Sequence, residues 1–265
     1  MKSEILFQKG EHKWVVIGRD PDKDSNVLDT NEYLIINKNQ AMILDPGGTA
    51  IFPQVLTEIS RYIKTEDVRI IVASHQDPDI ASSLAMWLDL CPFVKVYCSW
   101  LWAGFISHFA MGTALNLITI PDEGMELQIG DTTASVYLVP AHYCHSSGNF
   151  SCYDPKADIL FSGDIGAGLL PNQNFPLFVK NFEEHIAYMK AFHQRWMSSG
   201  TALKQWVHRV RQINPSMIAP QHGSIFSGEN VGKLLDWLDN LEVGLWNSAQ
   251  ESEDISKCNW MKWKQ

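Results

Sequence analysis

Apolar positions fall in short runs broken by turn residues, and the period of those runs changes along the chain. Residues 32–37 (EYLIIN) and 40–45 (QAMILD) are apolar runs with only Lys38 and Asn39 between them, which predicts a two-residue hairpin. The second run stops at Asp45-Pro46-Gly47-Gly48, a turn cluster. Val55, Ile59 and Tyr62 recur at helical spacing and predict a helix over 53–62. Residues 68–74 (VRIIVAS) and 93–99 (FVKVYCS) are nearly continuous apolar runs, the mark of strands covered on both faces. Further strands are expected at 117–120, 125–129, 134–139, 150–153 and 158–162, with Asp154-Pro155 turning the last pair into a hairpin. Helices over 182–196 and 202–213 precede a short strand at 217–220. Leu234, Leu235, Leu238, Leu241 and Leu245 then line one side of a helix over 231–246. No internal repeat or low-complexity linker divides the chain. The pattern predicts one α/β domain over 1–265, with a core at about 25–245 and a tail from about 247.

Composition narrows the class. A chain of 265 residues buries a sizeable core without staples. Lys and Arg total 21 against 30 Asp and Glu, a formal charge of −9 that argues against nucleic acid or an anionic membrane as partner. No run of 18 apolar residues exists to span a bilayer. The N-terminal MKSEILFQKGEHKW is charged too early, and lacks the apolar stretch, for a signal peptide. Cys91, Cys98, Cys144, Cys152 and Cys258 show no CxxC spacing and read as reduced thiols of a cytoplasmic protein. His12 reads as a surface residue, and His108, His185, His193 and His208 fall on helical patterns as ordinary residues. Trp237, Trp246, Trp260 and Trp263 crowd the C-terminus, where an exposed aromatic stripe would suit a homodimer or partner surface.

The chemistry-bearing residues gather at expected strand ends. The run 68–74 leads straight into His75-Gln76-Asp77-Pro78-Asp79, and Pro78 lets a helix begin near Asp79. The run 134–139 ends in Pro140-Ala141-His142, the run 158–162 in Gly163-Asp164, and the run 217–220 in Gln221-His222-Gly223. Strand ends are where α/β sheets carry their sites. Three imidazoles and three carboxylates are too many for one tetrahedral zinc. Two ions sharing a bridging carboxylate need about this inventory, and glycine-flanked Asp164 is the natural bridge.

The order of these motifs resembles the metallo-β-lactamase fold, most of all the flavodiiron proteins, over about residues 25–245. That resemblance implies an αββα sandwich of two mixed sheets with helices on both outer faces. It implies one ion on His75, Asp77 and His142, a second on Asp79 and His222, and Asp164 between them. Asp45 is expected to hydrogen-bond neighbouring loops. His145 is expected either as an outer hydrogen-bond or proton donor, or as a support for the loop 146–149. Ile80, Tyr143 and Trp102 are expected to line the pocket, with no catalytic residue beyond the metal site. Asp77 stands where hydrolytic members place His, and its harder oxygen favours two iron ions over zinc, with manganese between. Ile80, where the family usually has His, leaves a coordination position open. The stretch after His222 is too short for the flavodoxin domain, roughly 150 further residues, so no FMN is expected in this chain.

The implied function is that of the small stand-alone relatives described as oxygen-binding di-iron proteins, some linked to chemotaxis. Such a protein takes dioxygen, or nitric oxide, at ions bridged by an oxo, hydroxo or peroxo group, and passes the signal to a partner protein. One alternative is an oxidoreductase, reducing dioxygen or nitric oxide with electrons from a separate flavoprotein or rubredoxin. Another is a di-zinc hydrolase. Whether the chain is an enzyme stays open at this point.

Overall fold

The structure, a computed structural model, describes residues 1–18, 28–110, 116–171 and 176–245. Cys258, Trp246, Trp260 and Trp263 lie outside the described residues, whereas Trp237 of the same expected stripe is partly buried, packed on the outer helices with its ring 5.3 Å from that of His193.

The first half of the chain runs β1 (Lys2–Lys9), β2 (His12–Gly18), β3 (Asn31–Asn37), β4 (Gln40–Leu44), α1 (Phe52–Ile59), β5 (Val68–Val72), α2 (Pro78–Ala81), α3 (Leu84–Leu90), β6 (Lys95–Ser99), α4 (Ala103–Ile106) and β7 (Leu117–Ile120). Its seven strands form one sheet in sequence order, antiparallel through β4 and parallel from β4 to β7. The second half runs β8 (Met125–Gln128), β9 (Ser135–Pro140), β10 (Phe150–Asp154), β11 (Ile159–Gly163), α5 (Phe182–Trp196), α6 (Gly200–Ile213), β12 (Met217–Pro220), β13 (Phe226–Ser227) and α7 (Glu229–Asp239). Here the sheet order is β13-β12-β11-β10-β9-β8, with β12 parallel to β11 and the other pairs antiparallel.

Three apolar clusters make four layers. Leu34, Ile36, Ile43 and Ile71 of the first sheet pack against Val55, Ile59, Leu84 and Trp87 of the helices outside it. Tyr33, Ile35, Met42 and Trp14 point the other way, into the space between the sheets, where they meet Phe150, Phe161 and Val136. Outside the second sheet, Leu160 and Ile218 meet Met189, Trp206, Leu234 and Leu238. Because both faces of β3 are covered, every residue of NEYLIIN is buried, as its unbroken apolar run requires. Trp14, Tyr33 and Phe161 join the sheets with ring centroids 6.0 and 5.4 Å apart, each such pair contributing roughly 0.5–1.5 kcal/mol beyond its buried area. The two mixed sheets and their outer helices are the αββα arrangement.

The hairpin of β3 and β4 turns at Lys38-Asn39, with Asn37 opposite Gln40 and Lys38 at a left-handed φ of 55°. The N-terminal hairpin of β1 and β2 falls before the core expected from the sequence. Its β1 is an edge strand, mostly exposed and flanked by Lys2 and Lys9, so no clean alternation marks it. Its β2 buries His12 completely, where a surface position was expected. The parallel pairing of Leu44 with Val72 sets the ends of β4 and β5 side by side, so Asp45 and Ser74 become neighbours. Phe150 N donates to Ser74 O at 3.1 Å, and Tyr33 Oη to Pro220 O at 2.7 Å, closing the two sheets onto each other at this same edge.

Candidate metal centre

Three of the four expected strand ends deliver their residues to that edge, and Asp164 sits at the middle of what they form. Gly163 leaves β11 at a left-handed φ of 58°, and Asp164 follows it, nearly fully buried. Its Oδ2 faces His75 Nε2 at 3.9 Å and His145 Nε2 at 3.4 Å. Its Oδ1 faces His222 Nε2 at 3.5 Å. Asp77 Oδ2 completes the first group, 3.0 Å from His145 Nε2 and 3.6 Å from His75 Nε2. Asp79 Oδ2 completes the second, 3.5 Å from His222 Nε2. Asp77 is the residue before α2, in extended conformation, and its carboxylate makes no cap bond to that short helix.

His142, expected as a ligand, is not in this cluster. Its Nε2 lies 2.8 Å from Asp122 O, and its ring packs edge-on against Phe150 at 5.0 Å. The cause is a tight reversal. Cys144 N bonds Ala141 O, Tyr143 N bonds Ser146 O, and Tyr143 and His145 both take left-handed φ values, 61° and 83°. The turn sends residue 142 outward and residue 145 inward, so His145 meets Asp77 and Asp164 directly. The order of the motifs pointed to His142 over His145, and nothing in the sequence marks the left-handed turn that reverses their directions. Of the expected pocket residues, Tyr143 points outward at 55% exposure, and Ile80 is fully buried in the core cluster outside the first sheet. Trp102 packs on Phe105 at 5.6 Å, with its indole nitrogen near Gly148 in the loop after His145.

Several supports surround the cluster, and of these the sequence pointed only to Asp45. Ser74 Oγ donates to Asp45 Oδ2 at 2.7 Å, so its oxygen accepts from His75 Nδ1 at 2.9 Å and turns Nε2 to the site. Asp45 Oδ1 takes Ser74 N at 2.7 Å. Asp29 O receives His222 Nδ1 at 2.8 Å. His193, expected as ordinary, accepts from Gly166 N at 2.9 Å and donates from Nδ1 to Met189 O at 2.9 Å, holding the loop after Asp164. Burial pushes its pKa down to about 4, which keeps it neutral in that role. Phe192 and Trp196 lie against His145 with ring centroids at 5.9 and 5.3 Å.

The electrostatics are those of a site built for cations. Burial opposes charge on His75, yet Asp164, Asp77 and Asp45 outweigh it and hold its pKa at about 9. Burial also opposes charge on Asp77, but hydrogen bonds from His145 and His75 hold its carboxyl well below the usual range. Burial raises Asp79, and it raises Asp45 to about 7. Asp164 Oδ1 is buried with no hydrogen-bond partner, an expensive state unless something else engages it. The separations of 3.4–3.9 Å around Asp164 are long for hydrogen bonds. Two ligands each ~2.1 Å from a shared ion stand about 3.0–3.5 Å apart, close to this spacing. His75, His145 and Asp164 each bring one donor atom within 4.8 Å of the others. The donor set therefore fits metal binding, with the donor atoms of His75, His145 and Asp164 converging.

A family model described as ODP family beta lactamase matches residues 28–223. The chain belongs to that family. The structure of the chemotaxis sensor ODP from T. denticola in its apo state is 37% identical over 92% of this chain and 96% of its own, with a TM-score of 0.82. A structure described as a peroxy diiron species of chemotaxis sensor ODP gives 37% identity over 92% and 97%, with a TM-score of 0.81. Rubredoxin oxygen:oxidoreductase from Desulfovibrio gigas shares the fold alone, with a TM-score of 0.75 at 15% identity over 85% of this chain and 59% of that one. A protein of Thermosynechococcus vestitus named as a diflavin flavoprotein is 24% identical over 85% of this chain and 37% of its own length. The chain spans between a quarter and about half the length of the curated relatives it matches. The cluster of this chain lies at the shared edge of its two sheets, and none of its described helices is long and apolar enough to cross a membrane.

Proposed function

We propose that this chain is a cytoplasmic oxygen sensor that binds dioxygen at two iron ions. His75, Asp77 and His145 would hold one ion, Asp79 and His222 the other, and Asp164 both. The observation that carries the reading is the division of Asp164, whose two oxygens face separate histidine–carboxylate groups. The 37% identity to a chemotaxis sensor over nearly its whole length supports the sensing role and a signalling partner. Three carboxylates among six ligands favour iron or manganese over the nitrogen-rich sets of zinc hydrolases.

A pair of iron(II) ions so held supplies two electrons and an open coordination position for a diatomic gas. The chain's own residues do the rest. Three residues besides Asp164 would serve the first ion and only two the second, which would leave the second side more open. Asp45 and Ser74 fix the ring of His75, and the carbonyl of Asp29 fixes that of His222. Phe192 and Trp196 shield His145 from water.

The test is anaerobic loading with iron(II), removal of excess metal, and admission of air. The reading expects two irons per chain and a visible absorption band that persists for minutes. Steady oxygen consumption at many turnovers per second with an added NADH-driven reductase would favour a reductase instead. A colourless protein that keeps zinc in preference to iron would favour the hydrolase.

A further inference from the structure

We propose that Gln76 and Ser146 are positioning residues that set the ligand geometry of one of the two ions and leave the other untouched. The inference rests on the two-ion reading above. Gln76 Nε2 donates to Asp77 Oδ1 at 2.9 Å, and Ser146 Oγ donates to Gln76 Oε1 at 2.8 Å. Asp77 Oδ2 meets His145 Nε2 at 3.0 Å. Gln76 precedes Asp77, and Ser146 follows His145, so these three contacts close a ring through two pairs of chain neighbours. The ring ties the end of β5 to the left-handed turn that carries His145.

The consequence for Asp77 is specific. A carboxylate on a half-exposed loop turns freely and presents either oxygen. With Oδ1 held by the Gln76 amide, only Oδ2 is left, and it faces both His75 and His145. Ser146 in turn fixes which way the Gln76 amide points, because its hydroxyl needs the amide oxygen and so leaves the NH2 for Asp77. The contacts of Gln76 and Ser146 lie on the Asp77 side, whereas Asp79 faces His222, and His222 faces Asp164 and the carbonyl of Asp29. Side chains that orient a metal ligand typically account for 10–100-fold in affinity when removed.

Gln76→Met keeps the volume and removes both hydrogen bonds, and Ser146→Ala removes one. Each variant and their double are titrated anaerobically with cobalt(II), read by its visible bands, and the metal-free proteins are melted. The expected result is one cobalt weakened by roughly 10–100-fold in Gln76→Met, less in Ser146→Ala, with the other cobalt within about twofold of wild type. The double variant should lose no more than Gln76→Met alone, because both act through one chain of contacts. Metal-free melting should stay within about 3 °C of wild type. Both cobalts held as in wild type, both weakened alike, or additive losses in the double variant would overturn the proposal. A wild-type chain that takes up a single cobalt would instead overturn the two-ion reading, whatever Gln76→Met does to that one ion.

Discussion

The molecule has a buried histidine–carboxylate cluster at each end of its sandwich, and the two differ at the central carboxylate. At the end away from Asp164, Asp154 is fully satisfied. Its Oδ2 takes His12 Nε2 at 2.6 Å and Trp14 Nε1 at 2.7 Å, and its Oδ1 takes the backbone of Lys156 at 2.9 Å and Ala157 at 3.2 Å. Burial opposes its charge, but these bonds hold its carboxyl below the usual range. At the other end, imidazoles stand 3.4–3.9 Å from Asp164, and its Oδ1 has no hydrogen-bond partner. Burial pushes Asp45 to about 7 and Glu32 to about 8 there. A cluster that only holds a fold together closes to hydrogen-bond distance. The cluster around Asp164 pairs Asp77 with His145 at 3.0 Å but leaves its central carboxylate short of partners, as a site that waits for ions would.

The comparison breaks most sharply at the two aspartates. Asp164→Ala should abolish retention of both irons on desalting, and Asp154→Asn should retain both, as metal analysis would show. In urea unfolding the order reverses. Asp154→Asn, which disrupts a buried pair, should lose about 3 kcal/mol, whereas metal-free Asp164→Ala should lose less than 1 kcal/mol or gain stability. Next in size is the histidine pair. His145→Ala should lose one iron per chain and His142→Ala none, and the opposite result would restore His142 as the ligand.

The smallest effect is on the pH dependence of metal-free stability. Glu32 is protonated in the fold up to about 8, so its contribution is complete below its unfolded value near 4.5 and is lost as pH rises towards 8. Wild-type stability should therefore carry a falling component of at most ~1.4 kcal/mol per pH unit across that window, which Glu32→Gln removes. Asp154 has the opposite sign. Its contribution is present above about 4 and lost as pH falls through its depressed folded value, so Asp154→Asn should flatten the acid limb. Chemical denaturation at a series of pH values would show both.

Much of the fold was legible because burial on both faces leaves unbroken apolar runs, as in β3, β5 and β6, and because turn residues end them. The strand-end positions of His75, Asp79, Asp164 and His222 followed from that. What escaped depended on contacts distant in sequence or on backbone handedness. His12 stands in a polar run, and its partner Asp154 is 142 residues away. The reversal at Tyr143 and His145 uses left-handed conformations that neither residue advertises. Ser74 and Gln76 were passed over because an alcohol and an amide beside ligands carry no signal until the neighbouring strand is placed.

The most direct test of the central claim is magnetic. After iron(II) loading and exposure to air, Mössbauer and electron paramagnetic resonance spectra of wild type should show all the iron in a coupled, resonance-silent pair. The spectra of Asp164→Ala should show no such pair. A resonance from isolated high-spin iron(III) accounting for the bound metal in wild type would contradict a bridge at Asp164.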